Sequence, residues 1–445
     1  MLESTLKGKV EVKARIATFR KGRKISFVLI KGYNNKTMQA VVNSEHKSLL
    51  DSPPESILLI RGELKQTSTE VKMADYKNIE LMVEGFEVVS EAEKFPFLVK
   101  DVDNVGNQLL LEHPWLAHRS SGKQLIMKTK ALFLKYARQY LDANNFIETQ
   151  TPKIIAGASE SGSEVFKLEY FGRNACLAQS PQLYKQMLIN SDYGRVYEVG
   201  PIFRAENSQT NRHLCEFTGF DIEMAIDHGF MEVIKMAWNM IYIIFNQLNE
   251  NLPTGSPRLI MPSDPLVITF EAGAKLLQEH VIESGLDITK VCNPAWLDSN
   301  RNFQFQDPLQ DISTTNEKLL GQIVKEKYNS DLFVLTNYPR AVRPFYTKVS
   351  ENDSNYTDSF DIILRGIEIS SGAQRVDNVD ELISNMKAKG IDIDNMKYYV
   401  ESFRYGSWPH GGCGFGVERI ISCYLGLNDV PGCSYCPRTP VRCEP

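Results

Sequence analysis

Arg204, Glu206, Asn211, Arg212, His213, Phe217, Asp221 and Glu223 crowd into one short stretch of the chain. Apolar and polar residues alternate on either side of its polar middle, over 196–203 and 216–223. That pattern predicts two antiparallel strands joined by a long loop. Phe217, Asp221 and Glu223 have one parity, so they share one face of the return strand. A strand face carrying Arg, Glu, Asp and Phe is costly to bury unless a charged, planar ligand meets it. ATP has that shape and charge, and a solvated hairpin laced with salt bridges is the alternative.

A second group lies downstream. The runs SFDIILRG and EISSGAQRV read as strands that place Asp361, Glu368, Ser371 and Arg375 along one ribbon, and VRPFYTKV before them reads as a strand too. WPHGGCGFGVER reads as a glycine-rich turn entering an apolar helix that carries Arg419. With no parallel strand before it and no βαβ unit around it, this is not a dinucleotide loop, and no Walker A loop is present. An ATP site in this chain is therefore not the usual phosphate cradle at a helix N-terminus. ACLAQSPQLYKQML reads as a strand entering a helix, with Ser180, Gln182 and Lys185 at its start. The small residues of 156–164, with Glu160 and Glu164 among them, suit a mobile lid.

These groups need a scaffold. LIMKTKALFLKYARQYLDANNF has helical spacing and stops at Asn144-Asn145, and FIETQTPKII reads as a strand whose Pro152 demands an edge or interface position. Residues 229–340 read as mostly helical. Five short strands within the first 90 residues predict a small Greek-key barrel such as the OB-fold. Phe27 and Gln39 fall on successive strands of it. An exposed Phe there is a stacking platform for unpaired bases, whereas a Phe turned inward is core. The segment 91–122, with FPF, VGN and HPW, reads as a hinge, which divides the chain into 1–90, 91–122 and 123–445.

Charge distribution says more than the total of -5, because residues 1–36 hold ten Lys or Arg and two acids. A basic lobe on an acidic chain points to a polyanion bound at one end. No run reaches the ~20 apolar residues of a membrane-spanning helix, and MLESTLKGK resembles neither a signal nor a transit peptide, so a cytoplasmic location is expected. Eight cysteines are scattered, and Cys433 and Cys436 lack regularly spaced partners for a structural zinc, so reduced thiols are expected.

Pro152, the FRAE…RHLCEF hairpin and GFGVER resemble motifs 1, 2 and 3 of the class II aminoacyl-tRNA synthetases. QSPQLYKQ, RPFY, RGIEISSGAQR and PHGGCGFGVER narrow the resemblance to the aspartyl-tRNA synthetases of the archaeal and eukaryotic type, over nearly the whole chain. The resemblance implies an α+β protein, with an N-terminal OB-fold barrel for the anticodon and a catalytic domain on a mainly antiparallel sheet flanked by helices. It implies an aspartate–tRNA ligase that uses ATP and Mg²⁺ and forms a homodimer across the Pro152 strand and its helix. Asparaginyl-tRNA synthetases share the fold and the ATP chemistry, and a non-discriminating enzyme would charge tRNA(Asn) as well as tRNA(Asp).

The same resemblance distributes roles. Arg204, Arg419 and Glu368 are the expected catalytic residues, and Glu206, Arg212, His213 and Phe217 join them around ATP. Asp361, Glu368 and Ser371 are the expected Mg²⁺ ligands. Glu160, Ser180, Gln182, Lys185, Asp221 and Arg375 are expected to hold L-aspartate, and Phe27 and Gln39 the anticodon.

Overall fold

The computed structural model describes residues 8–157, 165–208, 210–253, 258–284 and 310–444. The chain forms two compact units, one of residues 1–110 with 119–121, the other of 111–118 with 122–445.

In the first unit β1 (Gly8–Arg20), β2 (Ile25–Lys31), β3 (Thr37–Asn43), β4 (Ile57–Gln66) and β5 (Ile79–Ser90) close into a barrel in the order β1-β2-β3-β5-β4. Alternation sends Ile16, Val28, Ile30, Val42, Ile60 and Leu81 inward as its core. Phe27 and Leu29 have the other parity, and Leu29 pairs with Gln39 across β2 and β3, so Phe27 and Gln39 share the outer face. Phe27 is half-buried there, with the Arg20 guanidinium 5.6 Å from its ring centroid. Gln39 Nε2 donates to Glu80 Oε1.

Helix α1 (Ser121–Ala143) lies in the second unit from its second residue onward and ends just before Asn145, which takes a positive φ. The strands of this unit are β6 (Ile147–Glu148), β7 (Ile154–Ile155), β8 (Lys167–Tyr170), β9 (Arg173–Leu177), β10 (Arg195–Phe203), β11 (Glu216–Ala225), β12 (Val267–Thr269), β13 (Leu332–Thr336), β14 (Ser359–Leu364), β15 (Ile367–Gln374) and β16 (His410–Gly416). The further helices that matter to the site are α2 (Gln182–Ile189), α3 (Met231–Asn251), α4 (Phe270–Ser284), α5 (Thr314–Tyr328), α6 (Val379–Ala388) and α7 (Val417–Leu425). Eight strands form one sheet in the order β12-β13-β14-β15-β16-β11-β10-β6, antiparallel from β13 to β10 and parallel at both edges. One face of it carries Phe220, Ile222, Met224, Ile362 and Phe415 against Phe133 of α1 and Trp238, Ile241 and Phe245 of α3. Phe220 and Phe415 stack with centroids 5.3 Å apart.

Three elements differ from the sequence reading. The glycine-rich segment is not a turn but the central strand β16, and none of its glycines has a positive φ. Cys413 and Phe415 supply its core face, while Gly412 and Gly414 leave room for acids on β11. A Cβ on Gly412 would lie 2.2 Å from Glu223 Oε2, and one on Gly414 2.9 Å from Asp221 Oδ1. FIETQTPKII is not one strand: β6 joins the large sheet beside β10, and β7 joins β9 and β8 in a three-stranded sheet. Pro152 lies between them, where its missing N–H breaks no ladder. VRPFYTKV forms no strand, because Pro344 has no donor and Phe345 and Tyr346 turn into a side cluster with Leu382 of α6; only isolated bridges such as Thr347 to Arg375 remain.

Candidate active site

The same alternation that buries Phe220 and Ile222 turns Gly219, Asp221 and Glu223 to the opposite face, under a cavity of about 370 Å³. Six Lys or Arg side chains and four carboxylates line this cavity. That excess of fixed positive charge suits an anionic ligand.

At one end sits a buried ion cluster. Lys185, on α2, is 4% exposed and places Nζ 3.0 Å from Asp221 Oδ1 and 3.3 Å from Glu223 Oε2. Arg375 donates from Nε and Nη2 to the two oxygens of Glu223, at 2.9 and 3.2 Å, and from Nη2 to the Gly412 carbonyl. Burial alone would discharge these groups. For Lys185 that loss is outweighed by Asp221 and Glu223, which hold its pKa above the ordinary lysine value. Burial likewise opposes ionisation of Glu223, but Arg375 and Lys185 hold its carboxyl below its usual range. The Ser180 hydroxyl accepts from the Gln182 N–H, and the Gln182 side chain donates to Gln186. Gln186 in turn meets His410 Nε2 at 2.9 Å, while His410 Nδ1 lies 2.6 Å from the Trp408 carbonyl. With Nδ1–H donating to that carbonyl, Nε2 accepts from Gln186, and burial keeps the imidazole pKa low.

The hairpin loop supplies the opposite end. The Arg204 guanidinium lies 5.7 Å from the Phe217 ring centroid and Nη1 lies 3.9 Å from Glu206 Oε1. His213 Nε2 is 3.9 Å from Glu206 Oε2, and burial, with Arg419 and Arg212 nearby, holds its pKa low. Arg419, two residues into α7, donates from Nη1 to the Glu368 carbonyl at 3.1 Å. The start of α7 is itself anchored by buried Glu418, which accepts from the Thr218 N–H and from Lys130 of α1.

A bulge brings the downstream residues together. In β15 the register passes from Ile362–Ser370 to Ile363–Glu368, skipping Ile369, so Glu368 and Ser371 both reach the cavity although they are an odd number of residues apart. Asp361 is paired with Ser371 but does not line the cavity. Arg343 lies with its Nη1 donating to Ser371 Oγ at 2.8 Å and its Nη2 2.8 Å from Asp361 Oδ2. As donors, Asp361, Glu368 and Ser371 are the hard oxygens that Mg²⁺ takes. Among the described residues no three His, Cys, Asp or Glu side chains gather as a metal site, so two carboxylates and a hydroxyl are what this ribbon offers.

The cavity thus gathers Ser180, Gln182, Lys185, Asp221 and Arg375 with Arg204, Glu206, Arg212, His213 and Phe217, and with Glu368, Ser371 and Arg419. Glu160 lies outside the described residues, and Phe27 and Gln39 belong to the barrel unit.

Three site residues had no role in the sequence reading. Glu223 was legible from its parity with Asp221 but was left without a function. Arg343 stands in the RPFY motif, where a wrong strand assignment hid it. Glu317 gave no signal at all: it lies on α5, accepts from the Glu368 N–H through Oε1 and pairs with Arg212 Nη2 at 3.4 Å through Oε2. Burial and the nearby Glu368 push its carboxyl up to about 7.

The family described as tRNA synthetases class II (D, K and N) matches residues 106–440. The chain belongs to this family. A cytoplasmic aspartate–tRNA ligase 1 of Arabidopsis thaliana is 40% identical over 378 residues, 83% of this chain and 67% of that protein. An aspartyl-tRNA synthetase structure from Entamoeba histolytica superposes with a TM-score of 0.83 at 31% identity, covering 98% of this chain and 90% of the other. An asparaginyl-tRNA synthetase structure from Pyrococcus horikoshii, complexed with asparaginyl-adenylate, gives the same TM-score of 0.83 at 26% identity, covering 99% and 97%. Fold alone therefore does not separate the two amino acids in this family. No helix among the described residues is long and apolar enough to cross a membrane.

Proposed function

We infer that the chain is a cytoplasmic aspartate–tRNA ligase. It joins L-aspartate to ATP as aspartyl-adenylate and transfers the aspartyl group to the 3′ end of tRNA(Asp). The observation that carries the choice of amino acid is the buried pair Lys185 and Arg375 at one end of the cavity. Asp221 and Glu223 hold Lys185, while Glu223 and the Gly412 carbonyl engage Arg375 through Nε and Nη2, which leaves its Nη1 edge for a ligand carboxylate. Asparagine offers a neutral amide there and would leave desolvated cations underpaired, a loss of ~1–3 kcal/mol or more per group.

In the first step the α-carboxylate of aspartate attacks the α-phosphorus of ATP; the new C–O–P bond forms as the bond to pyrophosphate breaks. The nucleophile is already ionised, so positioning and charge stabilisation do the catalysis. Arg204 is suited to bridge the α-carboxylate and α-phosphate through its two-pronged guanidinium. Adenine fits between the Phe217 ring and Arg419, with Glu206 at its edge, and Arg212 and His213 reach the outer phosphates. Asp361, Glu368 and Ser371 would hold Mg²⁺, which would neutralise charge on those phosphates. Ser180, Gln182 and Glu160 take the α-ammonium.

Residues 1–90 form the anticodon-binding barrel in this reading, 91–122 the hinge and 123–445 the catalytic domain. A homodimer across the Pro152 segment uses the exposed apolar side chains of Ile147 and Ile154. The test is amino-acid-dependent ATP–pyrophosphate exchange. Aspartate should support it and asparagine should not, and Lys185→Met should lose the aspartate response while ATP binding persists. Exchange driven equally by asparagine would overturn the specificity, and an unimpaired Lys185→Met would overturn the pocket assignment.

A further inference from the structure

Arg343 has no part in the chemistry above, yet its guanidinium engages an oxygen on two of the three residues that suit Mg²⁺, Asp361 Oδ2 and Ser371 Oγ. It donates to Ser371 Oγ at 2.8 Å, lies 2.8 Å from Asp361 Oδ2, and stacks on the Tyr338 ring with 3.7 Å to the centroid. Its side chain is only 11% exposed. Arg343 and Ser371, which pair with Asp361, line the cavity whereas Asp361 itself does not. Mg²⁺ needs oxygens at ~2.1 Å in near-octahedral array. Oxygens already engaged by a fixed cation cannot provide that, and the two cations repel across the same site.

We propose that Arg343 is a built-in competitor of the divalent ion. In the ATP-free protein its guanidinium occupies Asp361 and Ser371 and keeps Mg²⁺ off them. The metal enters together with ATP, whose phosphates give the displaced guanidinium another set of oxygens to bind. The order follows from charge: a lone divalent ion must evict Arg343 with nothing to receive it, while a metal nucleotide brings its own acceptors. This inference rests on the ligase reading and on Asp361, Glu368 and Ser371 as metal ligands.

The experiment titrates Mn²⁺ into the full-length, ATP-free protein and reads the free ion by electron paramagnetic resonance. Arg343→Met should bind Mn²⁺ at least about fivefold tighter than the parent, the effect of removing one adjacent unit charge even in bulk water. Arg343→Lys keeps the charge and should stay near the parent. Asp361→Asn added to Arg343→Met should abolish the gain. If Arg343→Met does not fold, as judged by circular dichroism, Arg343→Gln carries the same expectation, because it keeps a donor for Ser371. A folded neutral variant that binds Mn²⁺ no tighter than the parent overturns the proposal, and so does a gain that survives Asp361→Asn. Absence of aspartate-dependent ATP–pyrophosphate exchange in the parent would instead overturn the ligase reading, whatever the Mn²⁺ titration shows.

Discussion

Glu223 illustrates how a residue can decide a site without facing its ligand. It is fully buried and accepts two hydrogen bonds from Arg375, so it fixes the guanidinium that waits for the substrate carboxylate. Breaking a buried pair by removing one charge costs ~3–5 kcal/mol, far more than an exposed pair is worth. Glu223→Gln should therefore lower stability by that order. The sign with pH follows from the depressed carboxyl: its contribution is present above the unfolded value of 4.5 and lost as pH falls through the lower folded value. Urea midpoints should show a large deficit of Glu223→Gln at pH 7 that shrinks near pH 4. A deficit independent of pH would mean that the ionised pair is not its source.

At the scale of elements, α5 is placed by two glycines rather than by apolar packing alone. Gly366 takes φ +70° in the turn between β14 and β15, and a Cβ on Gly321 would lie 2.4 Å from the Gly366 backbone. This close approach brings Glu317 to the Glu368 N–H and to Arg212. Alanine in a helix interior is normally worth ~1 kcal/mol over glycine, but here the neighbour is backbone and cannot yield. Overpacking costs of ~1–3 kcal/mol should outweigh the propensity gain. Gly321→Ala should then melt at lower temperature and raise KM for ATP by several-fold, because Arg212 loses its anchor. A higher melting temperature with unchanged KM would show that the contact is slack.

For the whole molecule, two compact units carry separate tasks in the proposed reaction. Stacking of an unpaired base on an aromatic ring is worth ~1–3 kcal/mol. Phe27→Ala should thus reduce tRNA charging by roughly tenfold to a hundredfold, by that stacking magnitude, and leave ATP–pyrophosphate exchange intact. A tRNA with a substituted anticodon should lose little more on the mutation. Charging that stays normal in the folded fraction of Phe27→Ala, alongside a lower melting temperature, would make Phe27 a packing residue of the barrel.

The strand alternation around Asp221, the five short strands of the barrel and the motif order were all legible in the sequence, because period-2 patterning and turn residues are local signals. The same reading went wrong at His410–Gly416, since a glycine strand and a glycine turn look alike until the side chains across the sheet are known. There Glu223 and Asp221 fill the volume that a Cβ would need. Glu368 and Ser371 share a face only through the bulge at Ile369, a feature of pairing between two strands that neither strand announces by itself. Glu317 and Arg343 were decided by tertiary structure alone: one comes from a helix brought close by Gly321 and Gly366, the other from an irregular segment beside the β14–β15 ribbon. Local chemistry thus set which residues could meet a charged, planar ligand. Long-range packing set which charges meet one another first, because burial makes each unpaired charge costly enough to dictate its partner.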